Sequence, residues 1–388
     1  MNPDFDKIVD RKPYNNVKFG LRKAYFGTED IDPLWVADMD FEVAEPINNA
    51  IVKRAAHAVY GYPFADDDFK ASVCDWQWKQ NQWKVAPEWV SGLPGVVPAL
   101  LTAVLSFSAP SDEVIVQPPV YFPFFDVIES VGRNVVKNPL ILNNGRYEMD
   151  FDHLQKMITD KTKMLLLCNP HNPSGRMWTK SELTKLGEIC AQHQVLIIAD
   201  EIHSDLTLGG RKHQPIAKIS PQISEITVTC SSASKTFNLA GLTCAYTIIS
   251  SDTLRRKFDK MLSMTHLFIS NVFGLEATSA AYRSGSGWLE ELKLYLEETI
   301  AQMEVFFQEN LPQVKMMKPE AGYLVWLDFS ACGDPKAVRK KLIEEARVGL
   351  NHGGSFGTEG ENFHRINIAV RRAEVFSALS RIQKVFSN

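Results

Sequence analysis

The sequence predicts an α/β protein in which a large unit over residues 46–285 is built on a mostly parallel central sheet and a smaller α+β unit follows it. Three observations lead there. Short apolar runs bounded by turn signals alternate with amphipathic stretches through the first region. After about residue 285 the pattern changes to a long charged helix followed by strand, helix and strand. The chain of 388 residues, 45% hydrophobic and 23% charged, has ample material for a buried core.

Residues 1–45 are polar, interrupted by proline and weakly periodic, and end in Leu34-Trp-Val-Ala-Asp-Met-Asp-Phe41. They read as an opening arm that docks on something larger. Next, Ser91-Gly-Leu-Pro-Gly95-Val-Val-Pro98 leads into ALLTAVLSFS, apolar enough for a buried helix. Pro98 suits its first turn, where a missing N–H does no harm. The runs EVIVQPPV, KMLLLCNP, VLIIADEI, ITVTCSSA and CAYTIIS then read as buried strands joined by crossover helices. One crossover is legible in detail: after Thr179, the residues Leu183, Leu186, Ile189 and Cys190 recur at helical spacing and deliver the strand VLIIA. Ser284-Gly-Ser-Gly287 marks the boundary, as a hinge or as a helix-capping loop. Beyond it lie the helix WLEELKLYLEETIAQMEVFFQEN and the strands GYLVWLDF and FHRINIAV.

Composition narrows the function. Lys and Arg number 42 against 46 Asp and Glu, so the net charge of −4 makes nucleic acid and acidic membranes poor partners. Six widely spaced cysteines without a C-x-x-C pair indicate neither a disulfide framework nor a zinc site, and fit a reducing compartment. The N-terminal stretch has no apolar targeting core, and no run reaches the ~18 apolar residues of a membrane helix. A cytoplasmic protein is expected. No G-x-G-x-x-G stands at a strand-to-helix turn and there is no G-x-x-x-x-G-K-[ST] loop, which sets nucleotide readings aside.

In open parallel sheets ligands bind beyond the carboxyl ends of the strands, so the residues following each apolar run carry the information. They are Asn169-Pro-His-Asn172-Pro-Ser-Gly175, Asp200-Glu-Ile-His203 and Ser231-Ser-Ala-Ser-Lys235. Lys235, flanked by small residues, is either a crowded and partly desolvated nucleophilic amine or a solvated lysine opening a helix. Asp200 ends an apolar strand and either needs a cationic partner or caps the next turn. Asn172 is a site residue or an Asn-Pro turn former, and His203 a ligand contact or a structural histidine. Gly95, Val96 and Val97 offer N–H groups for an anion at a helix N-terminus, or form a plain loop before a core helix.

Together these residues resemble the aminotransferase class I/II group of fold type I pyridoxal phosphate enzymes, over nearly the whole chain. The resemblance rests on N-P-H-N-P-S-G at 169–175, D-E-I-H at 200–203, S-A-S-K-T-F-N at 232–238 and F-H-R-I-N at 363–367. Within that group, Trp35–Phe41, Tyr60-Gly-Tyr62, Pro119–Phe124 and Ser234–Leu242 look like the MalY/PatB-type cystathionine β-lyase branch. The resemblance implies a pyridoxal-phosphate-dependent transferase-like fold, with a small domain built from both chain ends (1–45 and 286–388), and a homodimer.

It also implies roles. Lys235 bonds to the cofactor's aldehyde and later shuttles the substrate α-proton. Asp200 faces the pyridine nitrogen and keeps it protonated. Asn172 bonds the phenolic oxygen, Tyr121 lies against the ring, and His203 stands where typical aminotransferases carry a tyrosine. Gly95, Val96, Val97, Ser232 and Ser234 hold the phosphate, with Tyr60 reaching over from the other subunit. Arg365 clamps the substrate α-carboxylate in a bidentate fork. Many aminotransferases have an arginine eight residues after the lysine; the lyase branch lacks it, and this chain has Thr243 there.

The expected activity is α,β-elimination on L-cystathionine or a related cysteine S-conjugate, giving a thiol, pyruvate and ammonia. An aminotransferase on the same scaffold is the alternative, because both reactions use the same residues. A catalytically silent binding protein is disfavoured by Lys235, Asp200 and Arg365 standing together.

Overall fold

In the computed structural model, which describes residues 3–387, seven strands form the central sheet: β1 (Val90–Leu93), β2 (Glu113–Val116), β3 (Asn134–Lys137), β4 (Thr162–Cys168), β5 (Leu196–Asp200), β6 (Thr227–Ser231) and β7 (Ala245–Ile248). Their spatial order is β1-β7-β6-β5-β4-β2-β3. The five strands from β6 to β3 run parallel. The sheet is thus mostly parallel, as the sequence predicts, with β7 antiparallel to both neighbours. The reason is local: residues 232–244 carry one four-residue helix and a single 3-10 turn, with no crossover helix to bring the chain back in the same direction.

The unbroken apolar run of β4 follows from burial on both faces. Leu166 and Cys168 join one core with the helix α1 (Val96–Phe107). Leu165 and Leu167 join the opposite core with α2 (Lys180–Gln192). α2 starts at a capping box, in which Thr179 accepts from the Glu182 N–H and Glu182 accepts from the Thr179 N–H. In β1, Gly92 is needed because a Cβ there would stand 2.6 Å from the Ala65 Cβ.

The second sheet contains β8 (Lys315–Met317), β9 (Leu324–Asp328), β10 (Asn351–His352) and β11 (Phe363–Asn367), in the antiparallel order β8-β9-β11-β10. A 25-residue helix over Ser286–Asn310 precedes it. The opening arm packs through Phe5 onto Phe41, Trp288 and Tyr295. Asp32–Pro33 pairs in parallel with Val348–Gly349. Among the described residues no helix is long and apolar enough to cross a membrane.

Candidate active site

Strand register assembles the site. Cys168 pairs with Asp200 and Asp200 with Cys230, so β4, β5 and β6 end level and release their following segments at one edge of the sheet. A cavity of about 220 Å³ opens there. Of the residues singled out in the sequence, Gly95, Val96, Val97, Tyr121, Asn172, Asp200, His203, Ser232, Ser234 and Lys235 all line it, and so does Thr243.

Lys235 sits on α3 (Ala233–Thr236), a single turn capped by Ser232, whose Oγ accepts from the Ser234 N–H at 3.0 Å and donates to the Cys244 carbonyl at 2.6 Å. Its Nζ donates to the Ala37 carbonyl at 2.7 Å, and that carbonyl also accepts from the Tyr323 hydroxyl at 3.1 Å. Burial lowers the Lys235 pKa to about 8, with Arg365 adding to the effect and Asp38 and Asp200 opposing it. The amine therefore loses its proton far more readily than an exposed lysine.

Asp200 is buried at the end of β5, where its Oδ1 accepts from the Ile202 N–H at 3.1 Å. Burial raises its pKa to about 7, and the Ile202 N–H and Lys235 offset this only in part. The next residue, Glu201, accepts from Ile216 N–H and pairs with His213 at 3.0 Å, a contact away from the cavity. Burial, with Lys235 and Arg365 nearby, pushes His203 down to about 3, and its Nδ1 has no hydrogen-bond partner. Tyr121 is driven up to about 12 by burial and by the Asp200 charge, against Arg365.

The loop 169–175 folds on Gly175, which adopts a φ of +70° and lies so close to residues 319–321 that a Cβ would meet the Pro319 Cβ at 2.6 Å. This close approach presents Asn172, whose Oδ1 accepts from Arg365 Nη1 at 2.8 Å. Arg365, on β11 and only 3% exposed, donates from Nη2 to Asn351 Oδ1 at 2.7 Å and to the Trp35 carbonyl at 3.1 Å. Its Nε is buried without a partner, and its guanidinium lies 5.0 Å from the Phe356 ring centre. Every acceptor around it is neutral, and burial lowers its pKa to about 10. A buried guanidinium so placed favours an incoming carboxylate.

Tyr60 is not brought into the cavity within this chain. It is exposed, donates to the Ala55 carbonyl at 2.8 Å, and lines a separate depression with Tyr62 and Phe273. Sequence reasoning gave no role to Ala37, Tyr323 or Asn351. The first two offer a backbone carbonyl and a hydroxyl from remote segments, and only the W-V-A-D-M-D-F run around Ala37 drew notice.

The donor set suits pyridoxal 5′-phosphate. A buried acid short of a cation fits a protonated pyridine nitrogen, an enclosed amine fits an aldehyde, and Gly95, Val96 and Val97 at the start of α1, with the Ser234 hydroxyl lining the same cavity, fit a phosphate, whereas the Ser232 hydroxyl is committed to the Cys244 carbonyl. Comparison with known proteins agrees. Residues 37–382 match the family model for aminotransferase class I and II. The chain is 43% identical over 386 residues to cystathionine β-lyase PatB of Bacillus subtilis, covering 99% of this chain and 100% of that protein. It is 31% identical to protein MalY of Escherichia coli, over 96% of each chain. The structure of the pyridoxal-phosphate-bound C–S lyase of Staphylococcus hominis matches with a TM-score of 0.94 and 32% identity, over 100% of this chain and 99% of that one. Cystalysin of Treponema denticola, which contains pyridoxal 5′-phosphate, matches at 0.96 and 32%, over 100% and 99%.

Proposed function

This chain belongs to the aminotransferase class I and II family, and from that membership we propose that it is a carbon–sulfur β-lyase cleaving L-cystathionine or related cysteine S-conjugates to a thiol, pyruvate and ammonia. Its cofactor is pyridoxal 5′-phosphate. The observation that carries the reading is the convergence on one cavity of an enclosed amine, Lys235, and a buried acid, Asp200, delivered by different strands.

When bound, pyridoxal 5′-phosphate supplies an electron sink for the pair left behind when the substrate Cα loses its proton. The protein's own groups do the rest in this reading. Arg365, steadied by Asn172 and Asn351, would bind the α-carboxylate and so fix which Cα bond faces Lys235. Lys235 Nζ would take the α-proton, which its lowered pKa allows near neutrality. Asp200 would hold a proton on the ring nitrogen, and Asn172 and Tyr121 would meet the phenolic oxygen and the ring face. Once the α-proton has gone, the Cβ–S bond breaks and sulfur leaves with its electron pair as the thiolate. Thr243 lines the cavity where many aminotransferases carry an arginine, so neutral donors would hold the phosphate.

Two further parts of the reading rest on packing. Residues 1–45 and 286–388 form one small domain, supported by the pairing of Asp32–Pro33 with Val348–Gly349 and by the Asn367 N–H bond to the Leu34 carbonyl at 2.9 Å. Two chains form a homodimer in which Tyr60 reaches the partner's phosphate site, supported by the exposed aromatic segment of Tyr60, Tyr62 (92% exposed) and Phe64.

The purified protein should release pyruvate from L-cystathionine without any added keto acid. Strict dependence on a keto acid would instead make it an aminotransferase. Arg365→Lys, which keeps the charge but loses the planar fork, should raise KM for amino-acid substrates by about tenfold or more. An unchanged KM in steady-state kinetics would move the carboxylate site elsewhere.

A further inference from the structure

The strap 35–41 crosses the site and is held on two sides. Towards the cavity, the Trp35 carbonyl accepts from Arg365 and the Ala37 carbonyl accepts from Lys235, so two carbonyls two residues apart touch the proposed clamp and the proposed base. The segments bearing those side chains also hold the strap. Asn238, three residues past Lys235, donates to the carbonyls of Met39 and Phe41, both at 3.0 Å. Asn367, two residues past Arg365, donates to those of Val36 and Asp38, both at 2.6 Å.

Away from the cavity, the strap presents Asp38 and Asp40 to the opening arm. Arg11 donates to Asp38 at 2.6 Å and to Asp40 at 2.5 Å. Lys18, 0% exposed, donates to Asp40 at 2.8 Å and stands 3.9 Å from Asp38. A fully buried ammonium is costly unless well paired, and for anchoring alone apolar packing would serve as well. The pairing is also uneven, because Asp38 Oδ1 is buried without a hydrogen-bond partner.

We propose that the opening arm is a positioning element of the active site: Arg11 and Lys18 fasten Asp38 and Asp40, and through them hold the strap where its carbonyls engage Lys235 and Arg365. This rests on the functional reading above and extends it to residues far from the chemistry. An electrical consequence follows. The charged and titratable groups around the Lys235 amine include Asp38 on the strap, Tyr121 beyond β2, Cys168 at the end of β4, Asp200 and His203 at and beyond the end of β5, Cys244 before β7, Arg365 on β11 and Tyr323 before β9. Among the charges Asp38 acts most strongly on Lys235, second only to burial. The arm's cations therefore set how much of the Asp38 charge that amine feels.

The test uses the cofactor-loaded protein and follows the visible absorption band of Lys235-bound cofactor against pH, beside KM, kcat and melting temperature. Arg11→Gln unmasks Asp38 and should move the band's midpoint up by about half a pH unit or more, while raising KM several-fold as the strap loosens from Arg365. Asp38→Asn should move the midpoint down, and Arg11→Lys should restore it. Shifts of opposite sign are the signature, since a merely structural role moves melting temperature without them. Unmoved midpoints, or shifts of the same sign, overturn the proposal. Should Arg11→Gln not fold, Asp38→Asn decides alone: a downward shift supports the proposal and none overturns it. Wild-type protein without a visible band would overturn the cofactor reading as well, whereas a wild-type band with unmoved variants overturns this proposal alone.

Discussion

Lys235→Ala is expected to purify as a folded protein without the visible absorption of bound cofactor and to lose turnover by about 10³-fold or more. In the proposed roles the side chain supplies both the covalent link and the base, and removal of a general base alone costs on the order of 10²–10⁴. The fold should tolerate the change, because α3 is held by other contacts. Ser232 caps it, and Thr236 donates to the buried Asp205 at 2.8 Å. Asp205 in turn accepts from the Trp76 indole at 3.0 Å. Absorption spectra and a pyruvate assay provide the check, and wild-type turnover in the variant would end the assignment.

Asp200→Asn is expected to slow exchange of the substrate α-proton in deuterium oxide by about 10²-fold or more, because a neutral amide cannot keep a ring nitrogen protonated. Exchange at the wild-type rate would dismiss the electrostatic role. The same variant should carry an opposite effect on stability in cofactor-free protein. Burial raises the Asp200 pKa in the fold from an ordinary carboxylate value to about 7. Stability associated with its neutral form is therefore present below pH 4 or so and is lost as pH rises towards 7. Asn does not titrate. Its melting temperature relative to wild type should climb through that window and level off above it, and a constant difference from pH 4 to 8 would refute the sign. Above that window the buried carboxylate is held at the expense of the fold.

Most of the sheet was legible because β2, β4, β5, β6 and β7 are buried apolar runs. β1 and β3 were not. β1 reads VSGL, whose Ser and Gly break the run, and its glycine is there for the contact with Ala65. β3 is an edge strand of four residues with exposed ends, so no burial pattern marks it. The reversed direction of β7 was hidden for a different reason: strand direction depends on the connection, and the segment around Lys235 shows no helical period long enough to read.

In the site, side chains that follow strands were readable and backbone groups were not. The Ala37 and Trp35 carbonyls have no signature in residue type, although they accept from Lys235 and from Arg365. Asn238 and Asn367 looked like ordinary parts of their motifs until the strap lay between them. Chemistry carried by peptide groups becomes visible only once tertiary contacts are known.

The buried residues of one core beside the cavity lie within 93–262, whereas Arg365, which donates to the Trp35 carbonyl, stands 130 residues beyond Lys235. At the roughly 5–20 residues per second of protein synthesis, Arg365 emerges about 6 to 26 s after Lys235. In the proposed roles, then, the amine that meets the vitamin aldehyde is synthesised before the guanidinium that grips an amino acid. Chain order thus separates in time the making of the group proposed for loading and the group proposed for recognition.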